Sequence, residues 1–424
     1  MTSPLPPAPS LASTTGSSPD LLRRYVVLAM LYLAEGVPGY VLVAAVPPIL
    51  REQGVSRATI GMLSLLLLPM ALKFLWAPLI ERFRPLPLGP RRAWILPTQI
   101  GSAACVLALG MIQPTDIPAL VAIALALIVL ASSQGIATDG YAVLSLQPHE
   151  RPTGNAIQGG AVAASVIVGG TMSLVLYQHI GWQPTMTIMA GLTLLPLLVL
   201  PLMREDVAPP TARPRPRLRH FFARPEAVSV LGLALFYRAS EGLVKSMEGP
   251  YLVDSGMSLD WIGYLSGASA ATVGLGGSAL AALVVRRRGA HGTLVLLGSL
   301  RSLCFAVFAL HSFGILGGLY PIGAAAAFQT MIRYMEIVAL YSLFMQVCSS
   351  DQPGTDFTLL ACAQLIVYQL GSMAAGHLAE AFGYGGLFVL ATAISVMATW
   401  ATRRHATGFG SRPGDSVHAS GTPR

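Results

Sequence analysis

Long apolar runs alternate with short polar, arginine-bearing breaks along nearly the whole chain. A helix of about 20 apolar residues, rising 1.5 Å per residue, matches a hydrocarbon core roughly 30 Å thick. Twelve such runs are legible, at residues 25–46, 59–80, 94–111, 119–144, 156–177, 185–203, 227–249, 261–285, 293–313, 319–347, 357–379 and 385–402. Inside lipid every backbone N–H and C=O needs an internal partner, so runs of this length predict helices. The expected fold class is therefore an all-α integral membrane protein of about 12 transmembrane helices.

Composition agrees. The chain has 424 residues, 54% hydrophobic and 11% charged, with a mean hydropathy of +0.63. Soluble domains carry roughly a quarter charged residues. A pI of about 9.5 invites a nucleic-acid partner. Most of the basic residues flank apolar runs and none forms a basic, aromatic-interleaved surface, so no nucleic acid is expected. The implied partner is the bilayer itself. Residues 1–20 hold no basic residue, unlike the charged start of a cleaved signal peptide, so the first run is expected to stay as an anchor. Cys105, Cys304, Cys348 and Cys362 fall in or beside apolar runs without metal-type spacing, and the eight histidines are scattered. No nucleophile–base set, nucleotide-binding glycine motif or metal motif occurs, so neither an enzyme nor a cofactor is expected.

Two patterns organise the chain further. Its middle holds Pro209-Pro210-Thr211-Ala212-Arg213-Pro214-Arg215-Pro216, where alternating proline and arginine forbid a continuous helix. The expected divisions are a tail over 1–24, a six-helix half over 25–203, a basic linker over 204–226, a second six-helix half over 227–402 and a tail over 403–424. The halves also match each other at an offset of 202 residues. Pro48, Leu50, Glu52, Gly54, Ser56, Ile60, Gly61, Leu63 and Ser64 recur as Pro250, Leu252, Asp254, Gly256, Ser258, Ile262, Gly263, Leu265 and Ser266. The agreement of Pro, Gly, Ser and an acidic position points to a parallel internal repeat.

Ionisable groups inside lipid cost ~2.5–3.5 kcal/mol on insertion scales and normally face a cavity or a partner. Those within the runs include Glu35, Lys73, Asp139, Arg238, Glu241, Lys245, Arg301, Arg333 and Glu336. Arg238, Glu241, Lys245 and Glu248 share one helical face, and Gln329, Arg333 and Glu336 form a second stripe. Arg238, Lys245, Arg333 and Gln329 are the candidate substrate-binding residues; Glu35, Glu241 and Glu336 are the candidate proton carriers. Arg238–Glu241 and Arg333–Glu336 also fit plain i,i+3 ion pairs. Pro38, within Glu35-Gly36-Val37-Pro38-Gly39, predicts a break in the first helix. Asp139, about 20 residues into the fourth run, reads as a gating residue near one membrane face.

The segment Trp76-Ala77-Pro78-Leu79-Ile80-Glu81-Arg82-Phe83, followed by Gly89-Pro90-Arg91-Arg92-Ala93-Trp94, resembles the loop motif of the major facilitator superfamily. Leu72-Lys73-Phe74-Leu75-Trp76-Ala77-Pro78 and Ser132-Ser133-Gln134-Gly135-Ile136-Ala137-Thr138-Asp139-Gly140-Tyr141 resemble the AmpG-like permease group within it. The Ala137–Ala142 version and the twelve-helix length look closest to that group's ferric-siderophore importer branch. Gly135 departs from the pattern, which has an acidic residue there in many relatives. The resemblance implies a major facilitator fold of two parallel six-helix repeats with substrate near the midplane between them. It also implies that helices one, four, seven and ten line the cavity, and that Glu81, Arg82, Arg91 and Arg92 act with Asp139 as a gate. The expected activity is proton-coupled import of an anionic siderophore across the inner membrane, functionally linked to an outer-membrane receptor. The alternatives are a muropeptide or peptide permease, a small-molecule or drug exporter, and a non-transporting membrane sensor.

Twenty of the 27 basic residues fall on one side of the predicted topology and two, Arg51 and Arg57, on the other. By the positive-inside rule both termini and the linker are cytoplasmic. Reporter fusions within 204–226 and at both termini should read out as cytoplasmic; a linker labelled from the periplasm would reverse the orientation.

Overall fold

In a computed structural model, residues 18–55, 63–205, 216–258, 261 and 268–410 are described, and all their regular structure is helical. Residues 206–215, which hold most of the proline–arginine linker, lie outside the described residues, as do Ser56, Ile60 and Gly61 of the first repeat and Ile262, Gly263, Leu265 and Ser266 of the second.

The first half begins with α1, which runs Ser18–Tyr40, widens into a π-helical segment at Val41–Ala45 and continues as Val46–Glu52. The break expected at Pro38 is absent. Proline removes one backbone donor, and the helix absorbs the mismatch by loosening just beyond it. The interruption lies in α2 instead, which is assembled from Leu63–Leu67, Leu68–Leu72, Lys73–Leu75 and Ala77–Arg82. Pro69 and Pro78 start two of these pieces, and Trp76 leaves helical geometry between them (φ −110°, ψ 1°). Next come α3 (Arg92–Met111) and α4 (Ile117–Ser145), the latter capped by Asp116, whose carboxylate accepts from Ala119 N at 3.3 Å. α5 comprises Arg151–Ser165, a π segment Val166–Met172 and Ser173–Ile180; α6 comprises Trp182–Leu194 and Leu195–Leu202.

After a short helix, Leu218–Phe222, the second half opens with α7 (Pro225–Asp254). Ala268–Ser312 is two helices meeting at Gly289, α8 (268–288) and α9 (290–312). α10 is Leu319–Val347, and Pro353–Gly410 divides at Gly383 into α11 (353–382) and α12 (384–410). Helix thus continues past Thr402 to Gly410.

The 202-residue repeat is visible in the backbone. Gly54 and Gly256 both take positive φ, 83° and 90°, and Gly181 and Gly383 do so at 82° and 69°, each making a turn that a side chain would strain. In the first half Gly169 of α5 abuts the Val37 carbonyl of α1. In the second, Gly371 of α11 abuts the Ala239 carbonyl of α7, where an added Cβ would lie 3.2 Å away. Both members of each pair are 202 residues apart, so the repeat extends to how helices touch.

The apolar core is distributed unevenly. At the end carrying the linker, one buried cluster joins both halves: Ile136 and Tyr141 of α4 share it with Leu340 and Phe344 of α10 and Phe357 of α11. Toward the opposite end each half has its own cluster, with Val41, Leu109 and Met189 in the first and Tyr251, Phe305 and Phe388 in the second. Among the described residues, the halves are therefore closed together at the linker end.

Candidate functional site

Three charged groups meet in the first half. The unwound stretch of α2 carries Lys73 inward, where only 7% of it is exposed. Its Nζ lies 3.8 Å from Glu35 Oε1 of α1 and 3.8 Å from Asp139 Oδ2 of α4. The Tyr32 hydroxyl donates to Asp139 Oδ1 at 3.2 Å. Asp139 is thus grouped with Glu35, not with the loop residues with which the sequence placed it. Gly135 explains the packing: a Cβ there would run into the Glu35 carboxyl. The volume that an acidic side chain at 135 would fill is taken by an acid reaching across from α1.

The second half holds two separate arrangements. Glu241 of α7 accepts a hydrogen bond from Arg238 Nη1 on its own helix and pairs with Arg333 of α10, whose Nε is 2.6 Å away but misaligned for a hydrogen bond. Arg238 also lies over the Tyr368 ring of α11, 5.5 Å from its centroid. Glu336 does not join this group, so the predicted Gln329–Arg333–Glu336 stripe splits. Its carboxylate points behind α10, accepting from Arg301 Nη1 of α9 at 3.1 Å and from the Tyr237 hydroxyl at 2.8 Å. Arg301 stacks on Tyr237 at 4.3 Å and donates from Nε to Ser395 Oγ of α12 at 3.1 Å. Arg301, Glu336, Tyr237 and Ser395 are all at most 1% exposed. The Arg333–Glu336 pair that i,i+3 spacing permits is replaced by two cross-helix pairs, so of the two expected i,i+3 pairs Arg238–Glu241 forms and Arg333–Glu336 does not.

Gln329, one turn before Arg333, is buried with neither side of its amide hydrogen-bonded. Lys245 pairs with Glu248 at 2.7 Å, about 10 Å along α7 from Arg238. Tyr341 of α10 lies within electrostatic reach of Asp139, Lys73 and Arg238, so the charged groups of the two halves share one neighbourhood. Sequence reasoning left Lys73 out of the site; a lysine within an apolar run was the available signal.

The gating residues divide as well. Glu81, at the end of α2, receives Gly354 N (2.8 Å), Thr355 N (3.1 Å) and Thr355 Oγ1 (2.6 Å), which are the free donors of the first turn of α11. Arg91 Nη2 reaches the same carboxylate at 3.4 Å. Arg92 and Arg91 offer backbone N–H groups to Glu205 at 3.0 and 2.9 Å. Arg82 is exposed and stacks on its neighbour Phe83. Gly140 and Gly354 let α4 and α11 nearly touch, and Asn155 of α5 donates to Ser342 of α10 at 3.1 Å. The linker-end seam is therefore closed by Glu81 on α11 and by Asn155 on α10.

Paired helical halves enclosing buried charge are the architecture of a membrane carrier. The chain belongs to the Major Facilitator Superfamily, whose family model matches residues 28–363. It is 26% identical over 385 residues to the anhydromuropeptide permease of Escherichia coli K12, covering 88% of this chain and 78% of that protein. It is 21% identical to a transporter named AmpG 4 in Rickettsia felis, covering 88% and 94%. A proton:xylose symporter superposes with a TM-score of 0.70 at 12% identity, covering 92% and 96%. A bacterial homologue of the iron transporter ferroportin in its outward-facing state gives 0.69 at 15%, covering 91% and 99%. At these identities the solved structures share the fold alone.

Cys348, just past α10, reports on the seam. Burial, then the Asp356 carboxylate, push its thiol well above the usual range. The thiolate is the reactive form, so alkylation should be slow while the seam is shut. Glu81→Ala removes the acceptor for three α11 donors and should speed peptide-resolved alkylation of Cys348 by at least about tenfold, leaving Cys304 protected. An unchanged Cys348 rate would mean that Glu81 does not hold the seam.

Proposed function

We propose that the protein is a proton-coupled importer of an anionic cell-wall fragment of the muropeptide class, working across the bacterial inner membrane with its linker end in the cytoplasm. One observation carries the coupling: the charge inventory of the two buried groups. Lys73 faces two carboxylates, Glu35 and Asp139, leaving one negative charge in excess. Arg238 and Arg333 face one carboxylate, Glu241, leaving one positive charge in excess. Uncompensated charge in a low-dielectric interior is costly, so the first group favours taking up a proton and the second an anion. A carrier that changes state only with both sites filled or both empty is a symporter.

Glu35 and Asp139 are the proton carriers in this reading, with Lys73 partnering whichever is ionised and Tyr32 donating to Asp139. Glu241 and Glu336 are clamped by arginines, which favours roles in binding and structure over proton exchange. Arg238 and Arg333 take the substrate carboxylate, and Gln329 supplies an amide with both sides free. Lys245 extends the basic face toward the opposite end. Glu81 and Arg91 form the gate. The cargo assignment draws on the named Escherichia coli relative, which matches across both halves. Ferric-siderophore import ranks second, supported by the Ala137–Ala142 motif version; an outer-membrane receptor would belong to that reading.

The test is uptake of labelled anhydromuropeptide into proteoliposomes with an imposed pH gradient, alongside counterflow without one. Glu35→Gln or Asp139→Asn should keep counterflow and lose gradient-driven accumulation. Arg238→Ala and Arg333→Ala should each weaken binding by about a hundredfold or more, because the remaining arginine only balances Glu241 and no excess positive charge is left for the anion. Accumulation of a labelled ferric siderophore alone would keep the coupling and replace the cargo. Unchanged accumulation in all four variants would overturn the charge argument.

A further inference from the structure

A cleft of about 470 Å³ opens at the linker end, apart from the charged groups described above. It lies on the seam. His149 and Arg151 come from the start of α5 and the loop before it, Arg286 from the end of α8, and Ser342 and Gln346 from the end of α10. One wall thus belongs to the first half and the other to the second. Among the described residues no carboxylate lines it. The adjacent Glu150 is already engaged, accepting from Arg24 Nη2 at 2.6 Å and from Gln147 N at 2.9 Å. Arg151 is half-buried, and its Nε is shielded from solvent with no hydrogen-bond partner. An open guanidinium donor of this kind is available to an anion or a water. The residue also occupies the first turn of a 15-residue helix whose dipole adds positive potential at the same mouth.

We infer that this cleft is a phosphate-binding site whose occupant bridges Arg151 and Arg286 and holds the linker-end seam shut. Guanidinium groups match phosphate oxygens in a forked geometry, and two of them lining one space from opposite walls can share one anion. The bridge exists only while the walls face each other, so an anion bound there favours the closed seam by its whole affinity for that state. The cleft lies where α5 starts and α8 ends, so the phosphate is either that of a phospholipid headgroup or free in solution. In both cases the site acts on the transport cycle without touching the substrate groups.

The experiment uses the full-length protein in maltoside detergent and chloride buffer, with Cys348 alkylation and thermal stability as readouts. Phosphatidylglycerol is added in one arm and inorganic phosphate, at matched ionic strength, in the other. In wild type the binding source should slow Cys348 alkylation about tenfold and raise Tm by about 2–4 °C. Arg286→Ala, at an exposed residue, should abolish both effects, and Arg151→Gln should do the same. Arg288→Ala, in the same arginine run but outside the cleft, should retain them. A response to phosphatidylglycerol alone assigns a lipid headgroup, and a response to phosphate alone assigns a soluble anion. No response to either, or an equal response in Arg286→Ala and wild type, would overturn the inference.

Discussion

Removing an ionised side chain from water without a partner is costly, and within a bilayer that cost governs where each charge can rest. The chain answers it with cross-helix pairs. Lys73 binds α2 to α1 and α4, Arg333 binds α10 to α7, and Arg301 binds α9 to α10 and α12. The same pairs leave an imbalance of opposite sign in each half, and that imbalance makes the interior chemically competent. A fully neutral interior would pack as well and have no reason to bind an ion.

The seam obeys a related constraint at the membrane boundary. A helix start leaves unsatisfied N–H groups, and α11 begins where the two halves meet. Glu81 supplies the acceptor from the other half, so a local capping need becomes a bond between halves. The shared apolar cluster at this end and the separate clusters toward the other place closure on one side.

Much of this was legible in the sequence. Hydropathy marked the helical segments because backbone satisfaction in lipid leaves little alternative, and the 202-residue offset announced the repeat. The resemblance around Glu81 and Arg91 pointed to the seam. What escaped was direction. Spacing put Arg333 and Glu336 on one stripe, but three residues of helix turn far enough for one to face α7 and the other α9. Pro38 looked like a break and was absorbed, whereas α2, with Pro69 and Pro78, was not recognised as segmented. Asp139 was placed by depth along α4 alone, and depth says nothing about a lysine brought in by a neighbouring unwound helix. Gly135 marked a missing acid; only the packing reveals that Glu35 fills the space.

The repeat has diverged in one informative place. Gln99, Gln134, Thr193 and Glu35 of the first half stand 202 residues before Arg301, Glu336, Ser395 and Tyr237 of the second. Where the first half has amides, with Gln99 donating to the Thr193 carbonyl, the second has a dry guanidinium–carboxylate lock. Sliding α9 or α12 against α10 would strip a partner from a charge with no water to replace it, a loss of about 3–5 kcal/mol. The first half carries no such penalty at the equivalent joints. Two halves built on one plan therefore differ in stiffness: charge locks α9, α10 and α12 together in the second, while amides alone hold the equivalent joint of the first.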